Sequence, residues 1–384
     1  MKAEIYVTGR IRKSPFFEAT LRCGAREFSV YNKTYLPGGY GGPEAEFWSI
    51  INDVTLWDVT CQRVVEISGP DAFAFTSILT PRDLSGCKVG QCKYVLITNR
   101  DGGILNDPVL LRLAEDCFWL SSADSDILMW ARGVAVHAGL QVTIEAPEVA
   151  TLQLQGPKSA PLLEGLLGSA IWDLKYYHHR EAEIAGIPVI LARTGWSAER
   201  GYEIYLKDSS RGDELWETLM AAGQAFGIAP ASPSRIRRIE AGILDFSVDM
   251  DETTNPFEVG LERLVDLEKA GGFIGQAALA RRAAEGPARQ VVGLEIAGAP
   301  VAANDVAYPV LKDGRSLGKM TSWVYSPRLE KNIGFAMLPL AAAALGGELE
   351  IDAPEGPRVA RVVQRPFIDA ERKLSRGTKE DRLR

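Results

Sequence analysis

Residues 94–113 read YVLITNRDGGILNDPVLLRL, and this stretch decides how the first part of the chain is expected to fold. Residues 94–98 are rich in the β-branched and aromatic side chains typical of strands. The turn-forming run 99–103 follows, and apolar character resumes over residues 104–113. Two strand-like runs separated by a turn with a glycine pair predict a β-hairpin.

Outward from this hairpin, one local pattern occurs twice. Residues 67–75 (ISGPDAFAF) and 154–162 (LQGPKSAPL) each predict a strand, a Gly-Pro turn and a helix. In the first copy, Asp71 is placed to cap a helix over residues 71–79. The repetition indicates two related halves of mixed α and β structure rather than a solenoid array.

The C-terminal part of the sequence has a different texture. After a break at Gly286-Pro287 come six short β-rich runs separated by turns: residues 291–296, 307–311, 319–325, 332–337, 348–351 and 358–363. Strands at this spacing predict a small β-barrel. The whole chain is therefore expected to have an α+β fold.

Composition narrows the class of protein. The 43 Lys and Arg residues against 50 Asp and Glu residues give a formal net charge of −7, which disfavours an extended nucleic-acid surface. The longest apolar run, around residues 336–345, contains a proline and is shorter than the ~20 residues of a membrane-spanning helix. We therefore expect neither a nucleic-acid nor a membrane partner. The number of cysteines is odd, none form a CxxC pair, and the start of the sequence lacks the apolar core of a signal peptide, so we expect a cytoplasmic protein.

Metal and histidine chemistry find little support in the sequence. It contains no GxGxxG, P-loop, HExxH or GxSxG motif. Of its three histidines only His178 and His179 are adjacent, and neighbours on a strand point to opposite faces. We therefore expect no metal site.

Asp107 is the first candidate for chemistry, because it lies in the apolar run ILNDPVLL, where a carboxylate loses hydration. It is suited to meet an N–H group of a ligand or, alternatively, to cap a turn. Glu203 lies in the strand-like phrase GYEIYL, and its carboxylate matches a guanidine-like edge unless it is a solvent-exposed edge residue.

Arginine and aromatic residues complete the candidates. Arg238, in RIRRIEAG, would hold a carboxylate or carbonyl if buried, and is otherwise surface charge on a helix. Trp196 can form one wall of a flat slot. Four more aromatic residues could add to such a surface, although aromatic side chains more often belong to the hydrophobic core than to a ligand site: Trp57, Tyr94, Tyr176 and Tyr177.

These stretches occur together and in an order that resembles the glycine cleavage T-protein (aminomethyltransferase) superfamily of tetrahydrofolate enzymes. The matching phrases are WDVTCQRVVEISGPDA (57–72), VGQCKYVLITNRDGGILNDPVLLRL (89–113), LQGPKSA (154–160), ARTGWSAERGYEIYL (192–206), RRIEAGILDFSVDMDETTNPFEVGLERLVDLEK (237–269) and GKMTSWVYSPRLEKNIGFAMLP (318–339). The resemblance implies a three-domain clover-leaf folate-binding fold. Residues 1–286 would form two interleaved α+β lobes, residues 287–370 the C-terminal β-barrel and residues 371–384 a charged tail.

The resemblance also implies roles for individual residues. Asp107 matches the aspartate beside the reactive N5 and N10 edge of the pterin, where it would orient N5 and take up its proton. Glu203 matches the glutamate that grips the amino-pyrimidine edge. The remaining folate-contacting positions are Tyr94, Tyr177 or its neighbour Tyr176, Trp196 and Arg238.

Three phrases depart from the aminomethyltransferase pattern: DVTCQRVVEI, GWSAERGYE and NDPVLL replace DVSHM-like, GYTGE-like and DDL-like phrases. With the RIRKSPF start, they are similar to the dimethylsulfoniopropionate demethylases of the superfamily. Leu111 stands where the T-protein has a tyrosine, which alters the substrate side.

The implied protein is a monomeric or homodimeric tetrahydrofolate-dependent methyltransferase acting on a small-molecule methyl donor. The first expectation for that donor is a sulfonium compound. Folate-dependent O- or N-demethylation and folate binding without catalysis stay open.

Overall fold

The computed structural model describes residues 8–377. Its α-helices are α1 (Phe17–Arg22), α2 (Pro43–Asn52), α3 (Ala72–Leu79), α4 (Ile127–Ala138), α5 (Ser159–Leu167), α6 (Gly212–Gly223), α7 (Arg235–Glu240), α8 (Gln276–Glu285) and α9 (Lys373–Arg376). Within residues 8–377, no helix is long and apolar enough to cross a membrane.

The strands outnumber the helices. They are β1 (Glu27–Tyr31), β2 (Thr34–Gly39), β3 (Val54–Asp58), β4 (Val64–Ser68), β5 (Cys92–Tyr94), β6 (Ile97–Thr98), β7 (Ile104–Asn106), β8 (Val109–Ala114), β9 (Cys117–Ser121), β10 (Thr143–Glu145), β11 (Ala150–Gln155), β12 (His179–Ile184), β13 (Ile187–Ala192), β14 (Gly201–Leu206), β15 (Ile228–Pro230), β16 (Arg289–Ile296), β17 (Tyr308–Lys312), β18 (Arg315–Ser326), β19 (Lys331–Pro339), β20 (Glu348–Ala353) and β21 (Gly356–Val363).

The chain forms two compact units, and each is built from segments that are distant in sequence. The first comprises the described parts of Met1–Val65, Ala146–Ser234 and Leu374–Arg384, and the second comprises Glu66–Glu145 and Arg235–Lys373. The boundaries 1–286, 287–370 and 371–384 stay a prediction. Residues 378–384 of the predicted tail lie outside the described residues.

The first unit is organised by a six-stranded sheet in the order β12-β13-β14-β11-β3-β15. Strand residues alternate between the two faces of such a sheet. One face packs leucine and isoleucine side chains, such as Leu152 and Ile204, against the apolar side chains of α5 and α6. The other face is also buried but carries polar groups, among them Gln153 and Glu203. A buried polar face is where a ligand-binding surface is expected, since buried polar groups need partners.

The second unit contains the predicted hairpin, which is confirmed. β6 pairs with β7 in antiparallel fashion, with Ile97 opposite Asn106. β5 pairs with β8, which places Tyr94 opposite Val109. These strands belong to or adjoin a five-stranded sheet in the order β10-β4-β9-β8-β5. The hairpin thereby brings Tyr94 close to the segment that carries Asp107.

The predicted C-terminal β-barrel is also confirmed. β16 to β21 close into a six-stranded barrel in the order β16-β19-β18-β17-β20-β21. Its interior is filled by buried aliphatic and aromatic side chains, including Leu294, Met320 and Trp323. Closure leaves no free strand edges, which removes the commonest route to edge-to-edge association.

The helix predicted after the first Gly-Pro turn is present as α3, but the capping role of Asp71 was wrong. The Asp71 side chain makes no hydrogen bond to the helix. Instead its Oδ2 accepts from the backbone N–H of Gln141 at 2.7 Å, and the Asp71 N–H donates to the Gln141 carbonyl at 3.3 Å. The side chain satisfies a distant backbone amide whose proximity the local sequence does not show.

Gly103 provides a test of how tightly the hairpin is packed. A Cβ atom at this position would lie 1.9 Å from the Glu252 carbonyl oxygen, whereas a Cβ at the exposed helix residue Gly133 would meet nothing within 4 Å. We expect Gly103→Ala to lower the free energy of unfolding by about 2–3 kcal/mol through overpacking. The matched control Gly133→Ala should raise it by roughly 0.5–1 kcal/mol, because alanine restricts the unfolded chain. Urea denaturation measures both, and equal stabilities would contradict the close packing.

Candidate functional site

Asp107 lies between β7 and β8 and is half-buried. Its Oδ2 accepts a hydrogen bond from the Tyr94 hydroxyl at 2.8 Å. The pKa of Asp107 is raised to about 7, mainly by burial; the hydrogen bond from Tyr94 lowers it and the nearby Asp245 adds to the rise. A carboxyl group with this pKa can both accept and release a proton near neutrality.

Asp107 and Asp245 form a cluster of two neighbouring carboxyl groups. Burial raises the pKa of Asp245 as well, and Asp249 and Asp124 raise it further, while Arg238 and Arg235 lower it. The cluster is therefore a place where adding another negative charge is costly. A positively charged ligand would be stabilised there.

Arg238 is only 2% exposed, so its interpretation as surface charge was wrong. Its Nη1 donates to Asp249 Oδ2 at 2.7 Å, and its Nη2 donates to Ser322 Oγ at 2.7 Å. Asp249 Oδ1 also accepts from Ser322 at 2.7 Å. This network joins α7 to the barrel strand β18, and it gives Asp249 a cation that Asp107 does not have.

Glu203 is 2% exposed and lies on β14, between β13 and β11, so the solvent-exposed edge interpretation was wrong. Its Oε1 accepts from Gln153 Nε2 at 2.7 Å. Its Oε2 accepts from the hydroxyls of Thr194 and Tyr205, the latter at 3.1 Å. Burial raises the pKa of Glu203, and these hydrogen bonds oppose the rise. A buried carboxylate surrounded by neutral donors suits a ligand edge that presents N–H groups.

The loop before β14 is held by Gln155. Ser197 Oγ donates to Gln155 Oε1 at 2.6 Å. A Cβ at either Gly195 or Gly201 would come within 2.2 Å of the Gln155 amide, so both glycines are needed for its close approach. This loop carries Thr194, which donates to Glu203, and the half-buried Trp196.

Tyr177 has a left-handed backbone with φ of 58°, and its N–H donates to the Arg193 carbonyl at 3.0 Å. Its ring packs edge-on against Tyr176, with the ring centroids 4.8 Å apart. The two tyrosines thus form one aromatic element. The choice between them as the folate-contacting residue stays a prediction.

The predicted site residues fall into two groups. Tyr94 and Asp107 are in direct contact, and Arg238 lies in the same unit and approaches Asp245 to 3.9 Å. Glu203, Tyr177 and Trp196 belong to the first unit. Sequence reasoning missed the partners of Glu203, although the phrase TLQLQ (151–155) carries a signal: polar residues alternate with leucine in a strand whose other face is apolar.

Comparisons with known proteins agree with the fold. A family model described as the GCVT N-terminal domain matches residues 16–269, and the glycine cleavage T-protein C-terminal barrel domain matches residues 289–369. The chain is 36% identical over 360 residues to dimethylsulfoniopropionate demethylase DmdA of Ruegeria pomeroyi, covering 94% of this chain and 98% of that protein.

Aminomethyltransferases are almost equally similar. The chain is 34% identical to the aminomethyltransferase of Synechococcus sp. (strain CC9311), covering 92% of this chain and 98% of the relative. Among solved structures, the glycine cleavage system aminomethyltransferase T from Bartonella henselae superposes with a TM-score of 0.83 at 26% identity, covering 93% of this chain and 98% of that one. The predicted α+β class and the superfamily resemblance are confirmed.

Proposed function

The chain belongs to the glycine cleavage T-protein (aminomethyltransferase) family of tetrahydrofolate-dependent transferases, and from that premise we propose that it demethylates a small sulfonium compound. The proposed substrate is dimethylsulfoniopropionate, and the products are methylmercaptopropionate and 5-methyltetrahydrofolate. The observation that carries the proposal is the pair of neighbouring carboxyl groups Asp107 and Asp245, of which Asp107 has a tyrosine hydroxyl rather than a cation as its hydrogen-bond partner. Dimethylsulfoniopropionate is a zwitterion, and its cationic sulfonium end gains from neighbouring carboxylates, whereas a neutral methyl ether does not.

The residues of the first unit fit the pterin of tetrahydrofolate. Glu203 offers a buried carboxylate, and a carboxylate accepts two parallel hydrogen bonds from an amino-pyrimidine edge. Each carboxylate oxygen has about two acceptor positions. Oε1 accepts only from Gln153 and keeps one position, whereas Oε2 accepts from two hydroxyls. One hydroxyl must therefore rotate away when a ligand binds, and hydroxyl groups rotate readily.

Bound tetrahydrofolate supplies the nucleophilic nitrogen N5, which accepts the methyl group while the sulfur leaves as a neutral thioether. The leaving group needs no proton, so the sequence's scarcity of histidine is no obstacle. The proton of N5 must be taken up, and we assign this role to Asp107 because its pKa of about 7 leaves much of it ionised at neutral pH. Tyr94 holds the accepting oxygen in position. Alignment of the two reactants supplies most of the remaining acceleration.

Three sequence-based statements stay predictions beside this proposal: a cytoplasmic location, a monomeric or homodimeric state, and the absence of nucleic-acid partners. The roles of Tyr94, Tyr177, Trp196 and Arg238 at the folate are proposals. For Arg238 we propose that it acts by holding Asp249 and Asp245 in place, since Asp249 and Ser322 occupy its two terminal nitrogens.

The proposal is tested by incubating the protein with tetrahydrofolate and millimolar dimethylsulfoniopropionate. We expect equimolar 5-methyltetrahydrofolate and methylmercaptopropionate, measured by liquid chromatography and mass spectrometry. A parallel arm offers a methyl ether, a methylamine and an aminomethyl-lipoyl protein. No product from the sulfonium rejects that substrate, turnover in the parallel arm identifies the other reaction, and folate binding without turnover of any donor favours a non-catalytic role.

Asp107→Asn keeps the size of the side chain and removes its charge. We expect kcat to fall by about 10²-fold or more, the usual loss for an electrostatic or acid–base group, while folate affinity changes little. The wild-type kcat/KM should rise with pH through an apparent pKa near 7, because kcat/KM reports the free protein, and the variant should lose this dependence. Steady-state kinetics from pH 5.5 to 8.5 measure both quantities.

The same variant should be more stable at alkaline pH. The folded-state pKa of Asp107 lies above its unfolded value of 3.8, so the wild-type protein loses stability as pH rises from about 4 through 7. Asparagine does not titrate, so the variant should gain roughly 1–3 kcal/mol at pH 8 relative to wild type and little near pH 4. A lower melting temperature with near-normal kcat would instead support the turn-capping interpretation.

Glu203→Gln keeps the shape of the side chain and replaces one acceptor by a donor. We expect folate binding to weaken by roughly 1.5–3 kcal/mol, because two charge-assisted hydrogen bonds are lost, while the fold survives. Isothermal titration measures the affinity. Glu46→Gln is the matched control, since Glu46 is a buried carboxylate of the same unit that accepts from Tyr40 and Ser232 and has no proposed role. Equal affinities of the Glu203 variant and wild type would remove Glu203 from the folate site.

A further inference from the structure

We propose that Gln153 is a second recognition residue for the pterin, and this inference rests on the proposed role of Glu203. Its side-chain carbonyl oxygen accepts an N–H of the pterin 2-amino group, and its amide nitrogen orients the Glu203 carboxylate. Neither the family models nor the names of the relatives assign a role to this residue.

The position of Gln153 is set by the sheet register. It lies on β11 directly opposite Glu203 on β14 and opposite Trp57 on β3. These three residues form a row across the buried polar face, and directly opposed Cβ atoms in an antiparallel pair are about 5 Å apart. Gln153 and Glu203 therefore present their polar ends side by side.

The hydrogen bonding of Gln153 is incomplete. Its Nε2 donates to Glu203 Oε1 at 2.7 Å. Its Oε1 is buried and has no hydrogen-bond partner within residues 8–377. Bulk solvent does not reach the side chain, because Gln153 is only 1% exposed. Trp57 does not supply the missing donor, because its indole N–H donates to Thr55 Oγ1 at 2.8 Å. Buried side-chain oxygens without partners are rare in folded proteins and call for an explanation.

The orientation of the amide follows from its neighbour. An ionised carboxylate only accepts hydrogen bonds, so the amide must turn its nitrogen toward Glu203 and its oxygen away. The two residues together then offer the Glu203 oxygens and, on the far side of the donating amide nitrogen, the Gln153 oxygen as a further acceptor. A carboxylate that takes N3–H and one hydrogen of a 2-amino group leaves the second amino hydrogen unpaired, and the Gln153 oxygen is the acceptor adjacent to it.

A ligand pair separates this role from a purely structural one. The probes are tetrahydrofolate and its 2-desamino-2-methyl analogue, which lacks the amino group. Gln153→Met should weaken the binding of both ligands, because Glu203 loses the amide that orients it, and should weaken tetrahydrofolate binding about 10-fold more than binding of the analogue. Thr151→Val is the control: the Thr151 hydroxyl is also buried without a hydrogen-bond partner within residues 8–377, but it lies opposite Tyr205 rather than Glu203, so the variant should keep the wild-type ratio of the two affinities.

The outcomes are distinguishable. Equal losses for both ligands in Gln153→Met would show that Gln153 only supports the sheet, which overturns the inference and leaves folate binding intact. If that variant does not fold, Gln153→Asn retains a neutral amide but shortens the side chain, so its oxygen is withdrawn and the preference for tetrahydrofolate over the analogue should fall; an unchanged preference overturns the inference. A wild-type protein that binds neither ligand refutes the proposed function itself.

Discussion

The candidate site depends on two carboxylates, Glu203 and Asp107, that have no cationic partner within residues 8–377. Glu203 lies inside a sheet and receives hydrogen bonds from an amide and two hydroxyls, all of them neutral groups. Burying a charge is costly, and neutral donors recover only part of the lost hydration. The raised pKa of Glu203 is the expression of that remaining cost. A ligand that brings N–H donors would offset this desolvation cost, so the arrangement favours binding of such a ligand.

Other buried carboxylates of the chain show the contrast. Asp249 is held by Arg238, Glu240 by Arg328, and Glu258 by Arg289. The Arg238 pair joins α7 to the loop that carries Asp249, whereas the other two pairs join α7 or a loop to the barrel. Removing one partner of any pair would leave an uncompensated charge. Asp58 has no cationic partner in the part of the chain that the structure describes, but it accepts hydrogen bonds from Ser14 and from the Thr60 N–H, which hold the segment before α1 and a turn. Glu203 and Asp107 fasten neither a helix nor a terminal segment, which leaves their charge available to a ligand.

The features that could be predicted from the sequence are those set by residues close together in the chain. The hairpin around Gly102-Gly103 and the barrel strands are local patterns, so turn residues and strand spacing were sufficient. The burial of Glu203 was not readable from GYEIYL, because a strand's own residues do not say whether it lies inside or at the edge of a sheet. The Arg238–Asp249 pair and the Glu203–Gln153 hydrogen bond join side chains whose geometry depends on helix packing or sheet register. The alternation of polar and leucine residues in TLQLQ pointed to a buried polar face but named no partner.

In the proposed reaction, the charge of the methyl donor affects the pKa of Asp107, the group that takes up the proton of N5. In the proposed reaction, a sulfonium bound near Asp107 lowers the pKa of its carboxyl group, since an opposite charge favours the ionised form. The carboxylate is then ready to accept the proton of N5 when the methyl group moves. Transfer converts the sulfonium into a neutral thioether, so the charge that held Asp107 ionised disappears from the donor. Burial and Asp245 then raise its pKa again, which favours proton uptake at that stage. The carboxyl cluster that attracts the cationic sulfonium would thus also couple proton uptake by Asp107 to methyl transfer. A neutral donor would be neither attracted by the cluster nor change the pKa of Asp107 in this way.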